Sequence, residues 1–123
     1  MKKNKIIVIT GALGQDGKIL SNFLVKKNYT VYGIIKKLNS PKIKGVIYKK
    51  INLLDKNKIK KFLLKVKPFC LVHFGSENPN YFEEKKVSFF EKNLKSTNFL
   101  IKYFSIYQPK QKLIIIGSSQ MFK

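Results

Sequence analysis

At 123 residues, 44% of them hydrophobic, the chain has the length of one domain and enough apolar material for a packed core. No apolar run nears the roughly 20 residues of a membrane span, no signal peptide is recognisable before the first apolar run, and the lone Cys70 allows no internal disulfide; a soluble protein of a reducing cytoplasm, with no membrane partner, is expected. The formal charge of +20 comes from lysine alone, without one arginine, and the lysines are spread along the whole chain. Bidentate phosphate and guanine contacts favour arginine, so no specific nucleic-acid partner is expected, only non-specific polyanion binding at low salt.

Residues 5–10, with the apolar run Ile6–Ile9, predict a first strand buried on both faces, as in a parallel sheet. Thr10-Gly11-Ala12-Leu13-Gly14-Gln15-Asp16-Gly17 follows, with glycines at a spacing of three, and then an amphipathic segment over about 16–27. Strand, glycine loop and helix form a phosphate-binding turn. Gly11 allows the sharp turn, Gly14 removes a Cβ where a pyrophosphate would approach, and Gly17 lets the helix lie close to the sheet. Free amides and the positive end of the helix dipole would face the anion. The spacing is GxxGxxG, so the flanking strand and helix carry the inference; a glycine-rich turn that binds nothing is the alternative. Asp16 is expected to cap the helix. Ile19, Leu20, Phe23, Leu24 and Val25 supply its apolar side, with Lys18, Lys26 and Lys27 outside.

Asn28-Tyr29 ends that helix, and Thr30–Ile35 predicts the second strand. An acidic residue beyond it would bind the ribose hydroxyls of NAD; this chain offers Lys36 and Lys37, which suit the 2′-phosphate of NADP or are ordinary solvated lysines. Asn39-Ser40-Pro41 reads as a turn within a loop over 38–45. Val46–Ile51 predicts a third strand. Asn52-Leu53 lies where an adenine would rest, or is a plain turn. Asp55 should cap a helix over about 56–66, with Ile59, Phe62, Leu63 and Val66 inward.

Cys70–His73 predicts the fourth strand, with Cys70 as a buried structural thiol. Phe74-Gly75-Ser76 is a second small-residue exit where backbone could lie against a cofactor. His73 is the only histidine; without a partner at metal-site spacing it reads as a packed, hydrogen-bonded residue, and no metal is expected. A polar loop over 77–84 leads to a long helix over 86–107, with Phe89, Phe90, Leu94, Thr97, Leu100, Ile101 and Phe104 inward. Lys112–Ile116 predicts the fifth strand, at an exposed edge of the sheet. It runs into Gly117-Ser118-Ser119-Gln120-Met121-Phe122. The alternation of strand and helix predicts a parallel, doubly wound, Rossmann-like α/β fold, one N-terminal nucleotide-binding domain over 1–123, truncated after about the fifth strand.

These segments resemble the extended short-chain dehydrogenases/reductases, the NAD-dependent epimerase/dehydratase family. Thr10–Gly17 is similar to their TGxxGxxG turn, and its Gly-Gln-Asp-Gly ending is most similar to the GDP-mannose 4,6-dehydratase family. Val31–Lys37, Asn52–Asp55, Val72–Ser76, Asn93–Leu100 and Gly117–Phe122 resemble further family segments in the expected order. The resemblance implies NADP, or NAD, as cofactor and a nucleotide sugar such as GDP-mannose as substrate. It implies Thr10, Gly11, Leu13, Gly14, Gln15, Asp16, Gly17, Lys36, Lys37, Asn52, Leu53, Phe74, Gly75 and Ser76 as cofactor-binding residues. Ser118 falls at the catalytic Ser/Thr, beside which a Tyr-x-x-x-Lys pair normally supplies the base. A homo-oligomer formed through the long helix would also follow.

Several residues depart from the pattern. Gln120 stands where a dehydratase has its glutamate, and an amide cannot take up a proton as a carboxylate does. Asn52 replaces a usual aspartate, Ser96 replaces a glycine, and no Tyr-x-x-x-Lys follows Ser118. The chain alone is therefore expected to be inactive. A 4-epimerase or 4-reductase of the same superfamily is the alternative within enzymes, and a non-catalytic NADP- or polyanion-binding module is the alternative outside them.

Overall fold

The computed structural model describes residues 5–37, 42–74 and 83–116. In chain order it contains β1 (Ile6–Thr10), α1 (Gln15–Lys26), β2 (Thr30–Ile35), β3 (Ile47–Lys50), α2 (Lys56–Val66), β4 (Cys70–Phe74), α3 (Glu83–Tyr107) and β5 (Lys112–Ile116). The strands form one sheet in the order β3-β2-β1-β4-β5. Every pairing is parallel: Ile7 lies opposite Val31 on one side and Cys70 on the other, and Cys70 lies opposite Lys112. The order reverses between β1 and β4. In α/β sheets such a switch point is where ligands are placed, beyond the carboxyl ends of the strands.

The period-two geometry of the central strands divides the core into two layers. Ile7, Ile9, Val31, Ile35, Cys70 and Val72 face α1 and pack with its Leu20, Leu24 and Val25. Val8, Ile34 and Leu71 face the other way, onto Ile59 and Leu63 of α2 and Leu100, Tyr103 and Phe104 of α3. This is why β1 and β4 read as uninterrupted apolar runs: both of their faces are covered.

The helices differ from expectation in informative ways. Asp16 does not cap α1. The N-cap is Gly14, in extended conformation, with no side-chain cap, and Asp16 is the second residue of the first turn, exposed, where its charge complements the helix dipole. The apolar side of α1 is also rotated from the predicted one. Its buried positions are Gly17 and Ser21, whereas Ile19 is 63% and Phe23 54% exposed. Close approach at a glycine brings the small residues of the helix onto the sheet and swings the bulky pair outward. Asp55 caps α2 as expected, its Oδ1 accepting from the Lys58 N–H at 3.2 Å. In α3, Leu100 and Phe104 point inward and Thr97 is half-buried, but Leu94 and Ile101 are exposed and Tyr103 takes the inward position. The side chains of Phe89 and Phe90, the turn at Asn39-Ser40-Pro41 and most of the loop over 77–84 lie outside the described residues. The α3 helix starts at Glu83, three residues before its predicted first turn, and β3 is shorter than predicted by one residue at each end.

Candidate dinucleotide site at the sheet switch point

Gly11 follows β1 with φ +63, a left-handed conformation that disfavours any residue with a Cβ. Its carbonyl accepts from the Gly14 N–H at 3.1 Å, closing the turn. Gly14 caps α1 through its own carbonyl, which accepts from the Lys18 N–H at 2.9 Å. The amides of Gln15, Asp16 and Gly17 consequently have no acceptor within the helix. A capping side chain would occupy one of them, and Gly14 has none to offer.

The three glycines do different work. A Cβ on Gly17 would collide with the Gly11 carbonyl and stand 2.9 Å from the Ala12 Cα, so Gly17 permits the helix to meet the turn. Among the described residues, a Cβ on Gly14 would touch only the Gly11 carbonyl, at 3.3 Å: a cradle that a side chain would fill. A fourth glycine supports the turn from below and was not singled out by sequence reasoning. A Cβ on Gly33, in β2, would stand 2.8 Å from the Ala12 Cβ and 3.0 Å from the Tyr48 ring. Ala12 therefore seats on β2 only because Gly33 is bare. A glycine inside a β-branched strand was the available signal.

The Thr10 side chain is turned inward. It is fully buried, and its hydroxyl lies 2.7 Å from His73 Nδ1 and accepts from the Phe74 N–H at 3.1 Å. His73 Nε2 lies 3.0 Å from Thr97 Oγ1 on α3. The imidazole is thus hydrogen-bonded on both sides, 1% exposed, and burial pushes its pKa down to about 4. The packed role expected for His73 is the one it has. Burial pushes the Cys70 thiol up, against the opposing pull of Lys112.

Lys36 and Lys37 stand exposed just past β2. Register places Ile35 opposite Lys50, so the exposed Lys49 and Lys50 of β3 end beside them. Leu13 is half-buried against the α1 layer and Leu53 against the other. The Asn52 Oδ1 accepts from the Leu54 N–H at 3.0 Å, a local turn that leaves its amide nitrogen for a ligand. Phe74 is half-buried and lies under the turn, 3.3 Å from where a Gly11 Cβ would be. Gly75, Ser76, Ser118 and Gln120 lie outside the described residues. Among the described residues, no helix is long and apolar enough to cross a membrane and no cluster of metal-ligating side chains occurs.

A glycine turn leading into an uncapped helix at the switch point of a parallel sheet is the anatomy of a dinucleotide fold, and comparison with known proteins agrees. Residues 7–123 match the NAD dependent epimerase/dehydratase family. The chain belongs to this family. Among its relatives is a GDP-mannose 4,6 dehydratase of Dictyostelium discoideum, 39% identical over 75 residues, which are 60% of this chain and 18% of that protein. The fold is shared with a UDP-glucose-4-epimerase from Stenotrophomonas maltophila with bound NAD and formylated UDP-arabinopyranose, at a TM-score of 0.79 and 13% identity, covering 95% of this chain and 38% of that one. It is shared also with a short chain dehydrogenase from Leptospira borgpetersenii serovar Hardjo-bovis with bound NAD+, at a TM-score of 0.72 and 20% identity, covering 94% of this chain and 52% of that one. This family member thus spans less than a fifth of the dehydratase it matches and about half or less of the two solved structures.

Proposed function

We propose that the chain is the cofactor-binding part of an NADP-dependent enzyme that modifies a nucleotide sugar, GDP-mannose 4,6-dehydration being the reading that its relatives support best. The observation that carries it is the turn itself: amides at Gln15, Asp16 and Gly17 with no acceptor among the described residues, beside a cradle kept open by Gly14. A diphosphate would sit there, held by backbone donors and the helix dipole. Lys36 and Lys37 would face the 2′-phosphate, with Asn52 and Leu53 beside the adenine and Phe74-Gly75-Ser76 along the cofactor's far side. Bound there, the nicotinamide would accept and return the hydride. Ser118 would hydrogen-bond the reacting sugar oxygen.

The identity of residue 120 favours a second reading. A 4-epimerase or 4-reductase needs no carboxylate there, and Gln120 offers none. Both readings require the same dinucleotide site. Titration of the chain with NADP and NAD by calorimetry tests it: binding is expected, tighter for NADP, and Gly14→Val should abolish it while leaving the urea midpoint close to the parent's. Absence of binding by well-folded protein, or indifference to Gly14→Val, would overturn the proposal. A salt titration separates it from simple polyanion attraction, which falls steeply with ionic strength.

A further inference from the structure

We propose that His73 is a positioning residue for the anion-binding turn, holding the ends of β1 and β4 in register through a buried chain of hydrogen bonds from Thr10 to Thr97. The inference rests on the dinucleotide reading of the turn and adds to it a side chain that itself touches no ligand.

The geometry is that of a cross-brace. Thr10 is the last residue of β1 and the immediate neighbour of Gly11; His73 is its register partner on β4, and Thr97 belongs to α3. Three elements therefore meet at one imidazole, directly beneath the turn. The Thr10 oxygen also accepts the Phe74 N–H, so one hydroxyl fixes both where β1 leaves the sheet and where β4 does. These are the two chain exits that flank the switch point.

Proton placement follows from the partners. The Thr10 oxygen accepts the Phe74 N–H. A neutral ring satisfies the rest of the chain when Thr10 gives its hydrogen to Nδ1, 2.7 Å away, and Nε2–H donates to the Thr97 oxygen, 3.0 Å away. Every polar atom between Phe74 and Thr97 is used in this arrangement, with the ring neutral. A ring charged on both nitrogens would leave the Thr10 hydrogen without an acceptor in the core. Packing alone would be met by an aromatic hydrocarbon of the same shape. The chain instead places a polar ring where both nitrogens find hydroxyls, and a fully satisfied buried network rigidifies the atoms that it joins.

The test compares three versions of the full 123-residue chain: the parent, His73→Phe, and Leu71→Val, which perturbs the same face of the same strand without entering the network. Amide hydrogen exchange is read without ligand, and NADP and NAD affinities are read by calorimetry. His73→Phe should speed exchange of the Gly14 amide about tenfold or more, the factor that one orphaned buried partner is worth, and weaken dinucleotide binding by a similar factor. Leu71→Val should leave both unchanged relative to α2 amides such as Ile59. Equal effects of the two substitutions on the turn would overturn the positioning role. If the parent binds neither dinucleotide, the cofactor reading fails, while the exchange comparison still decides what His73 does for the turn.

Discussion

The imidazole of His73 ties local chemistry to the stability of the fold. Burial lowers its pKa from the ordinary 6.5 to about 4. Between these values the unfolded chain holds a proton that the folded chain refuses, so stability rises with pH across this window. The contribution is complete above pH 6.5 and is lost as pH falls to about 4, amounting to about 3 kcal/mol for a shift of this size. Urea unfolding as a function of pH should show that slope, and His73→Phe should flatten it. A parent curve with no slope between pH 6.5 and 4 would contradict the buried neutral ring. The histidine's role was legible from the sequence, because it ends an apolar strand without any second metal ligand. Its partners were not, since Thr10 and Thr97 lie 63 and 24 residues away along the chain.

At the scale of elements, two helices begin in opposite ways. The cap of α2 is a carboxylate, Asp55, bonded to the Lys58 amide. Replacing it with alanine should cost about 1 kcal/mol and lower the thermal midpoint, with dinucleotide affinity unaffected. The helix α1 has a bare cap, Gly14, and its amides are left over for something else. Sequence rules place Asp16 as the cap because it is the first capping residue in the run. They fail because the turn closes on itself between Gly11 and Gly14 and the cap falls two residues earlier, at Gly14. The rotation of α1 was equally hidden. Ile19, Leu20, Phe23, Leu24 and Val25 make a plausible apolar side, but the close approach of Gly17 to Ala12 keeps only Leu20, Leu24 and Val25 on the sheet and turns Ile19 and Phe23 out.

At the scale of the whole molecule, β5 is an edge of the sheet among the described residues. Only β4 pairs with β5, and Ile114 and Ile116, which register with Val72 and Phe74 on the α1 side, are 47% and 41% exposed. Ile115, on the opposite face, is 38% exposed. An apolar edge strand of this kind templates association. The 123-residue chain should self-associate with rising concentration in sedimentation velocity, and Ile114→Lys with Ile116→Lys should shift it toward monomer. The net charge of +20 opposes association at low salt, so the effect should grow as salt is added and the lysines are screened.

The sequence by itself determined the sheet's strands, their parallel sense and the location of the glycine turn, because these depend on patterns within a dozen residues: apolar runs of strand length, helical spacing between them, and glycines directly after a strand. Only the tertiary structure decided which side of α1 meets the sheet, that Gly33 makes room for Ala12, and that Thr10, His73 and Thr97 form one buried chain. Those outcomes depend on distances between segments remote in sequence, and steric exclusion between them cannot be read from either segment alone.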